Sequence, residues 1–206
     1  MQEFLKKLNG LRTLLVYDNV YTLEFLIFNE ILPIFKDLKI YHIVYSECTN
    51  RTLKTASESF ARFNRRVGKI LSNSSVVKIG KFSKVPFGRL HKFISLNDNY
   101  LEILKDVLED LRGLILFHGF SILVLNSDQR DLVEIFDSIP ECSTLICECN
   151  KSVYSSEFNL FFDAVLALKV DEMSLGEFQV LEVLHSSKFD LIPGTCERFR
   201  WEYVRV

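Results

Sequence analysis

Short apolar runs and longer amphipathic stretches take turns along this chain. Leu14 to Tyr17 is an apolar run of strand length. From Tyr21 to about Leu38 the residues Leu23, Leu26, Ile27, Ile31 and Ile34 recur at helical spacing, with Pro33 set to kink or break the helix. Tyr41-His42-Ile43-Val44-Tyr45 predicts the next strand, because aromatic and β-branched residues suit a pleated surface. Thr52 to Leu71 predicts one amphipathic helix, with Leu53, Ala56, Phe60, Phe63, Val67 and Ile70 on its apolar face and Lys54, Arg62, Arg65, Arg66 and Lys69 opposite. Ser75 to Ile79 and Gly88 to Ile94 predict two strands around a Gly80 to Phe87 turn region, a cationic hairpin edge. Tyr100 to about Leu116 predicts a helix, Ser121 to Leu125 a strand, Asp128 to Phe136 a short helix stopped near Pro140, and Leu145 to Glu148 a strand. A polar loop or short helix then leads through Phe158 and Phe161 to strands at Ala164 to Val170, Glu177 to Leu184 and Phe199 to Val206.

Strands that are apolar throughout, interleaved with helices, predict an α/β three-layer domain with a mainly parallel central sheet, and the late run of strands an antiparallel C-terminal edge. A chain of 206 residues with 48% hydrophobic content buries one substantial core and is short for two, so a single domain over 1–206 is expected. The formal charge of -2 supplies no global cationic field, which argues against non-specific nucleic-acid binding as the main activity. Met1 to Asn9 lacks the pattern of a secretion signal, and no apolar stretch of about 18 residues is free of charges. A soluble, cytoplasmic protein without a membrane partner is therefore expected. Cys48, Cys142, Cys147, Cys149 and Cys196 are odd in number, which predicts reduced thiols. Cys142, Cys147 and Cys149 are read as buried structural thiols rather than a metal cluster, since neither a second CxxC pair nor a nearby His completes a zinc set.

Several segments, taken in order over nearly the whole chain, resemble the RecA/KaiC-like core of archaeal RadA and KaiC-type ATPases. His42-Ile43-Val44-Tyr45-Ser46-Glu47 is similar to that core's second strand, where relatives place an acid that activates the attacking water, and Glu47 is the matching position. Ser121-Ile122-Leu123-Val124-Leu125-Asn126-Ser127 resembles the Walker B strand, with Asn126 standing where relatives hold magnesium through an Asp. Thr144 to Glu148 looks like the strand that follows, and Phe162-Asp163-Ala164-Val165-Leu166-Ala167-Leu168 like a later one. An uncharacterised family from hyperthermophilic archaea shares the Tyr17-Asp18-Asn19 start and the Val77-Lys78-Ile79-Gly80 strand end. Where the resemblance implies a phosphate loop, the chain has Tyr17-Asp18-Asn19-Val20-Tyr21-Thr22, without the glycines, lysine and charge balance that phosphates require. His185-Ser186-Ser187-Lys188 also lacks the Lys-x-Arg pattern of the relatives' C-terminal strands.

Asp18 and Asn19 stand at the carboxyl end of the first strand, where open α/β sheets bind ligands. With Glu47, Asn126 and Asp128 they could form a degenerate nucleotide or metal site, whereas the plainer reading has Asp18 and Asn19 capping the next helix. Arg62, Arg65, Arg66 and Lys69 begin the most basic part of the chain, which extends to Lys92 and could meet an anion or nucleic acid, with Phe82, Phe87 and Phe93 available to stack on bases. Phe158, Phe161, Phe162 and Trp201 are candidate contact aromatics, and His42 and His118 are read as core or edge residues. The favoured expectation is a non-catalytic, pseudo-ATPase binding or assembly module, working through a protein partner or self-association, with no nucleotide, cofactor, metal or catalytic residue. The alternative is a nucleotide- or metal-dependent enzyme with a non-standard site at the strand ends, or a weak nucleic-acid binder through the basic middle.

Overall fold

Nine strands form one continuous sheet in the computed structural model, which describes residues 1–97, 99–171 and 178–200. In chain order they are β1 (Arg12–Tyr17), β2 (Ile40–Tyr45), β3 (Ser75–Gly80), β4 (Arg89–Ser95), β5 (Leu114–His118), β6 (Thr144–Asn150), β7 (Ala164–Val170), β8 (Phe178–Ser186) and β9 (Cys196–Arg200). Their spatial order is β4-β3-β2-β5-β6-β1-β7-β8-β9. Every pairing from β4 to β7 is parallel, and β8 and β9 add the antiparallel edge that the sequence predicts. Glu177 and residues 201–206, which the late strands were expected to include, lie outside the described residues, as does Trp201.

Helices cover both faces. On one face α1 (Gln2–Lys6), α2 (Val20–Phe25), α3 (Leu32–Ile34), α4 (Glu47–Phe63) and α5 (Arg65–Asn73) pack through Leu23, Leu53 and Val67 onto Leu15, Val44, Leu116 and Ile146. On the other, α6 (Tyr100–Glu109), α7 (Phe120–Asn126) and α8 (Gln129–Asp137) pack through Leu104, Leu123 and Ile135 onto Leu14, Ile43, Phe117 and Leu145. Each wholly buried Leu or Ile contributes about 2 kcal/mol, so the central strands are anchored from both sides.

Several expectations need correcting. Ser121 to Leu125 is helical, and the strand lies just before it, where the sequence predicted the end of a helix. A short apolar run suits either element, and the turn is made by Gly119 at φ 81°, a left-handed conformation that ends β5 and starts α7. The long helix from Thr52 breaks at Asn64, whose extended backbone ends α4 and whose side chain accepts from the Arg66 and Val67 N–H groups to start α5. β3 and β4 are parallel, so residues 81–88 form a strap that returns along the sheet rather than a hairpin turn, with Val85 and Phe87 packed on the α4 side. Cys142 is exposed, while Cys147 and Cys149 are buried as expected. Near Pro33 the helix is distorted as expected: a π-helical turn over Leu26–Ile31, in which Leu32 N–H bonds the Ile27 carbonyl, precedes a last turn that ends at Ile34.

Candidate functional site

Strand alternation places His42, His118, Glu148 and Tyr17 on the face that carries α2 and α4, each two residues from an apolar neighbour in that core or, for His42, before Val44. Because β2, β5, β6 and β1 are consecutive in the sheet, these side chains make a polar row near the carboxyl ends of the strands. Glu148 accepts at one oxygen from the Gly119 backbone N–H at 3.0 Å and pairs through the other with His118 Nδ1 at 3.1 Å. His118 Nε2 lies 2.9 Å from Nδ1 of His42, and the two rings stack. Burial, with His118 next in effect, holds the His42 pKa well below its ordinary value, so that ring is neutral. With His118 Nδ1–H donating to Glu148, His118 Nε2 is left to accept from His42 Nδ1–H, the tautomers that satisfy both contacts. His42 Nε2 ends the chain with no hydrogen-bond partner, against the Phe87 ring. A relay that stops in the core serves no substrate there, and its effect is to fix the Glu148 carboxylate.

Glu148 borders a cleft of about 130 Å³ between α2, α4 and the strand ends. Tyr17, Leu23, Glu24, Thr49, Gly119 and Ser121 line it too, and among the described residues no Lys or Arg does. Glu24 is 7% exposed, and its Oε1 has no hydrogen-bond partner. Burial, reinforced by the Glu148 charge, pushes the Glu24 carboxyl up to about 7. The Tyr17 phenol is also pushed up, first by burial and then by Glu148. The cleft therefore sets two acidic side chains together with no Lys or Arg lining it among the described residues, which is hostile to phosphate.

Ser46, between β2 and α4, adopts φ 85° and ψ 162°, a conformation essentially reserved for glycine that costs about 1–3 kcal/mol. Surrounding bonds hold it there. Its N–H donates to the Ile79 carbonyl, its hydroxyl accepts from Thr49 N–H, and its carbonyl accepts from Lys78 Nζ. Lys78 is fully buried, and its Nζ also meets the Ile79 carbonyl and Glu47 Oε1, the latter at 3.0 Å. Glu47 further accepts from the Lys81 and Phe82 backbone N–H groups. Partial burial works to raise the Glu47 pKa, but the Lys78 bond and these amides hold it below its ordinary value.

The residues singled out from the sequence do not converge. Asn19 caps α2 by accepting from Tyr21 and Thr22, and Asp18 is exposed, 3.9 Å from Lys151. Glu47 serves as the counter-ion of Lys78. Asn126 is exposed at the end of a helix, not a strand, and donates to the Ile122 carbonyl. Asp128 caps α8 in a reciprocal capping box with Asp131. Among the described residues no group of three His, Cys, Asp or Glu could hold a metal ion. Arg66 and Lys69 line a groove of about 300 Å³ with Lys36 and Lys39, at the opposite, amino end of β2 and β3. Arg62 and Arg65 are exposed and do not line it. Phe162 is buried and Phe158 and Phe161 are partly buried in an aromatic cluster with Phe120 and Phe136. Phe82 is exposed.

Glu24 and Glu148 escaped the sequence reading, although each leaves a signal. Glu24 stands three residues before Ile27 and seven before Ile31, on the apolar face of its helix. Glu148 interrupts an apolar strand between two buried cysteines. A carboxylate at a core position is the pattern to search for.

No protein-family profile matches the sequence, and no curated protein matches it. Solved structures do. The PH0250 protein of Pyrococcus horikoshii OT3 superposes with a TM-score of 0.64 at 19% identity, covering 94% of this chain and 95% of that one. The flagellar accessory protein FlaH of Methanocaldococcus jannaschii gives 0.57 at 9% identity, covering 97% and 91%. The KaiC-like protein PH0186 of P. horikoshii gives 0.55 at 12%, covering 94% and 86%. The fold is RecA/KaiC-like, as the sequence resemblance implied. Among the described residues no helix is long and apolar enough to cross a membrane.

Proposed function

We propose that this chain is a non-catalytic RecA/KaiC-fold module, one domain that works in the cytoplasm by binding or assembly and does not turn over ATP. The observation that supports this reading is the cleft at the strand ends, bordered by Glu24 and Glu148 with no Lys or Arg among its lining residues. Phosphoryl transfer is achieved almost wholly by positioning and charge neutralisation. A carboxylate about 5 Å from a phosphate oxygen costs roughly 3 kcal/mol at an effective dielectric near 20. The segment after β1 is also committed to helix capping through Asn19, which leaves no glycine-rich cradle of free N–H groups. Light scattering on a size-exclusion column with and without ATP and magnesium, with phosphate release assayed on the same samples, tests the reading. A mass that ignores nucleotide and no phosphate release are expected. Nucleotide-dependent assembly or turnover would overturn it in favour of an enzyme with a non-standard site.

A second reading, contact with an anionic polymer, draws on the four-cation groove of Lys36, Lys39, Arg66 and Lys69. It requires binding to short nucleic acids that weakens steeply with salt and falls in an Arg66→Ala, Lys69→Ala variant. Binding insensitive to salt or to that change rules it out.

A further inference from the structure

We propose that the cleft between α2 and the ends of β1, β5 and β6 binds the head of an organic cation, a guanidinium or a primary ammonium. This rests on the reading above that the site does not take nucleotide. Glu24 is over nine-tenths buried, lines the cleft and has an oxygen without a partner. Oε1 itself is closed to solvent, so a cation seated in the cleft offsets the charge of this carboxylate through its neighbouring oxygen and the electrostatic field rather than by bonding Oε1. Glu148 is held in place by Gly119 N–H and His118, so the second carboxylate is pre-oriented. At about 130 Å³ the cleft admits a small head group. Leu23, Leu53 and Ile122 offer an apolar wall to an alkyl stem. A metal ion is the weaker match, since both Glu148 oxygens are already engaged and no third acidic, His or Cys ligand joins them among the described residues.

The test is titration with methylguanidinium and propylammonium chloride at constant ionic strength, followed by amide NMR shifts, with methylurea as the neutral control. Saturable shifts at Glu24, Thr49 and Gly119 with both cations and none with methylurea are expected. Glu24→Gln should weaken binding at least tenfold, while Asp18→Asn, on a nearby carboxylate outside the cleft lining, should change it less than twofold. Equal binding by Glu24→Gln, or shifts that methylurea reproduces, overturns the proposal. Should Glu24→Gln not fold, the wild type decides. Its affinity must rise as Glu24 ionises near pH 7, with Tyr17, Glu148, His118 and Cys48 the other titratable groups around it, and a flat profile refutes the assignment. The source of the cation is read by light scattering. A mass that falls as methylguanidinium saturates identifies an Arg or Lys of a second copy, and a constant mass a free cation. ATP turnover would overturn the non-catalytic reading, whereas absent cation binding without ATP turnover removes only this inference.

Discussion

Replacing Glu24 with Gln removes a buried ionisable group while keeping the shape of its neutral form, so the protein should gain stability at alkaline pH and nothing at acid pH. The folded carboxyl titrates at about 7, against an ordinary value of 4.5. Below about pH 4.5 both folded and unfolded chains hold the proton, and Glu24 contributes no pH dependence. Between about 4.5 and about 7 the unfolded chain has released it and the folded one has not, so stability falls by about 1.4 kcal/mol per pH unit. Above about 7 the loss levels off near 3 kcal/mol. Urea unfolding of both proteins from pH 4.5 to 8.5 reads this directly. With a slope of about 2–3 kcal/mol per molar, the Glu24→Gln midpoint should exceed the wild-type midpoint by about 1 M at pH 8 and coincide with it at the acid end. Other titrating groups, such as the partly buried Glu30, are common to both proteins and cancel in the difference. Parallel curves, or a variant less stable at pH 8, would refute the argument that Glu24 sits as an uncompensated buried acid.

Ser46→Gly should stabilise the protein by about 1 kcal/mol, because glycine tolerates φ 85° and replaces a helix cap at a cost of only a few tenths; a lower urea midpoint would contradict the strain. Glu47→Gln should destabilise by about 3 kcal/mol by leaving Lys78 charged and buried, and combining it with Lys78→Met should recover much of that loss in urea melts. Gly119→Ala should lose about 2 kcal/mol or more and disturb the hydrogen bond from the residue-119 backbone N–H to Glu148. An added Cβ would lie 2.7 Å from the Tyr45 carbonyl in a left-handed backbone, and an unchanged thermal midpoint would count against it.

The α/β class, the parallel sheet with its antiparallel edge and the RecA/KaiC-like order were legible because strands buried on both faces leave apolar runs, as in Leu14–Tyr17 and Ala164–Leu168. The reading failed where length alone separated strand from helix. Leu114–His118 and Phe120–Asn126 are both short apolar runs, and only the left-handed Gly119 between them decides which is which. That error moved the supposed strand end from His118 to Asn126. The site itself is assembled by sheet order, which pairs β6 with β1 and β5 with β6 although about 100 residues of chain intervene between β1 and this pair. Composition and spacing carry no trace of that neighbourhood. The visible polar residues, Asn19, Glu47 and Asp128, proved to be caps and a counter-ion because short polar side chains at element ends serve the backbone first.

Filling a pocket with apolar side chains, or satisfying its polar groups, is a common route to added stability. This cleft does the opposite. Ser46 keeps a strained backbone just before the helix that carries Thr49, and Glu24 keeps a buried oxygen without a partner. Behind the pocket, a His42–His118 pair leaves another nitrogen unmatched in order to hold Glu148 still. At about 1–3 kcal/mol each, the three features are large against the 5–15 kcal/mol that ordinarily separates folded from unfolded chains. Two of them bear on the carboxylate pair at the strand ends, Glu24 directly and His42 through His118, and Ser46 precedes the helix that carries the cleft residue Thr49. Costs gathered at a single place argue for a ligand that offsets them, and the signs of the charges there argue that it is positive.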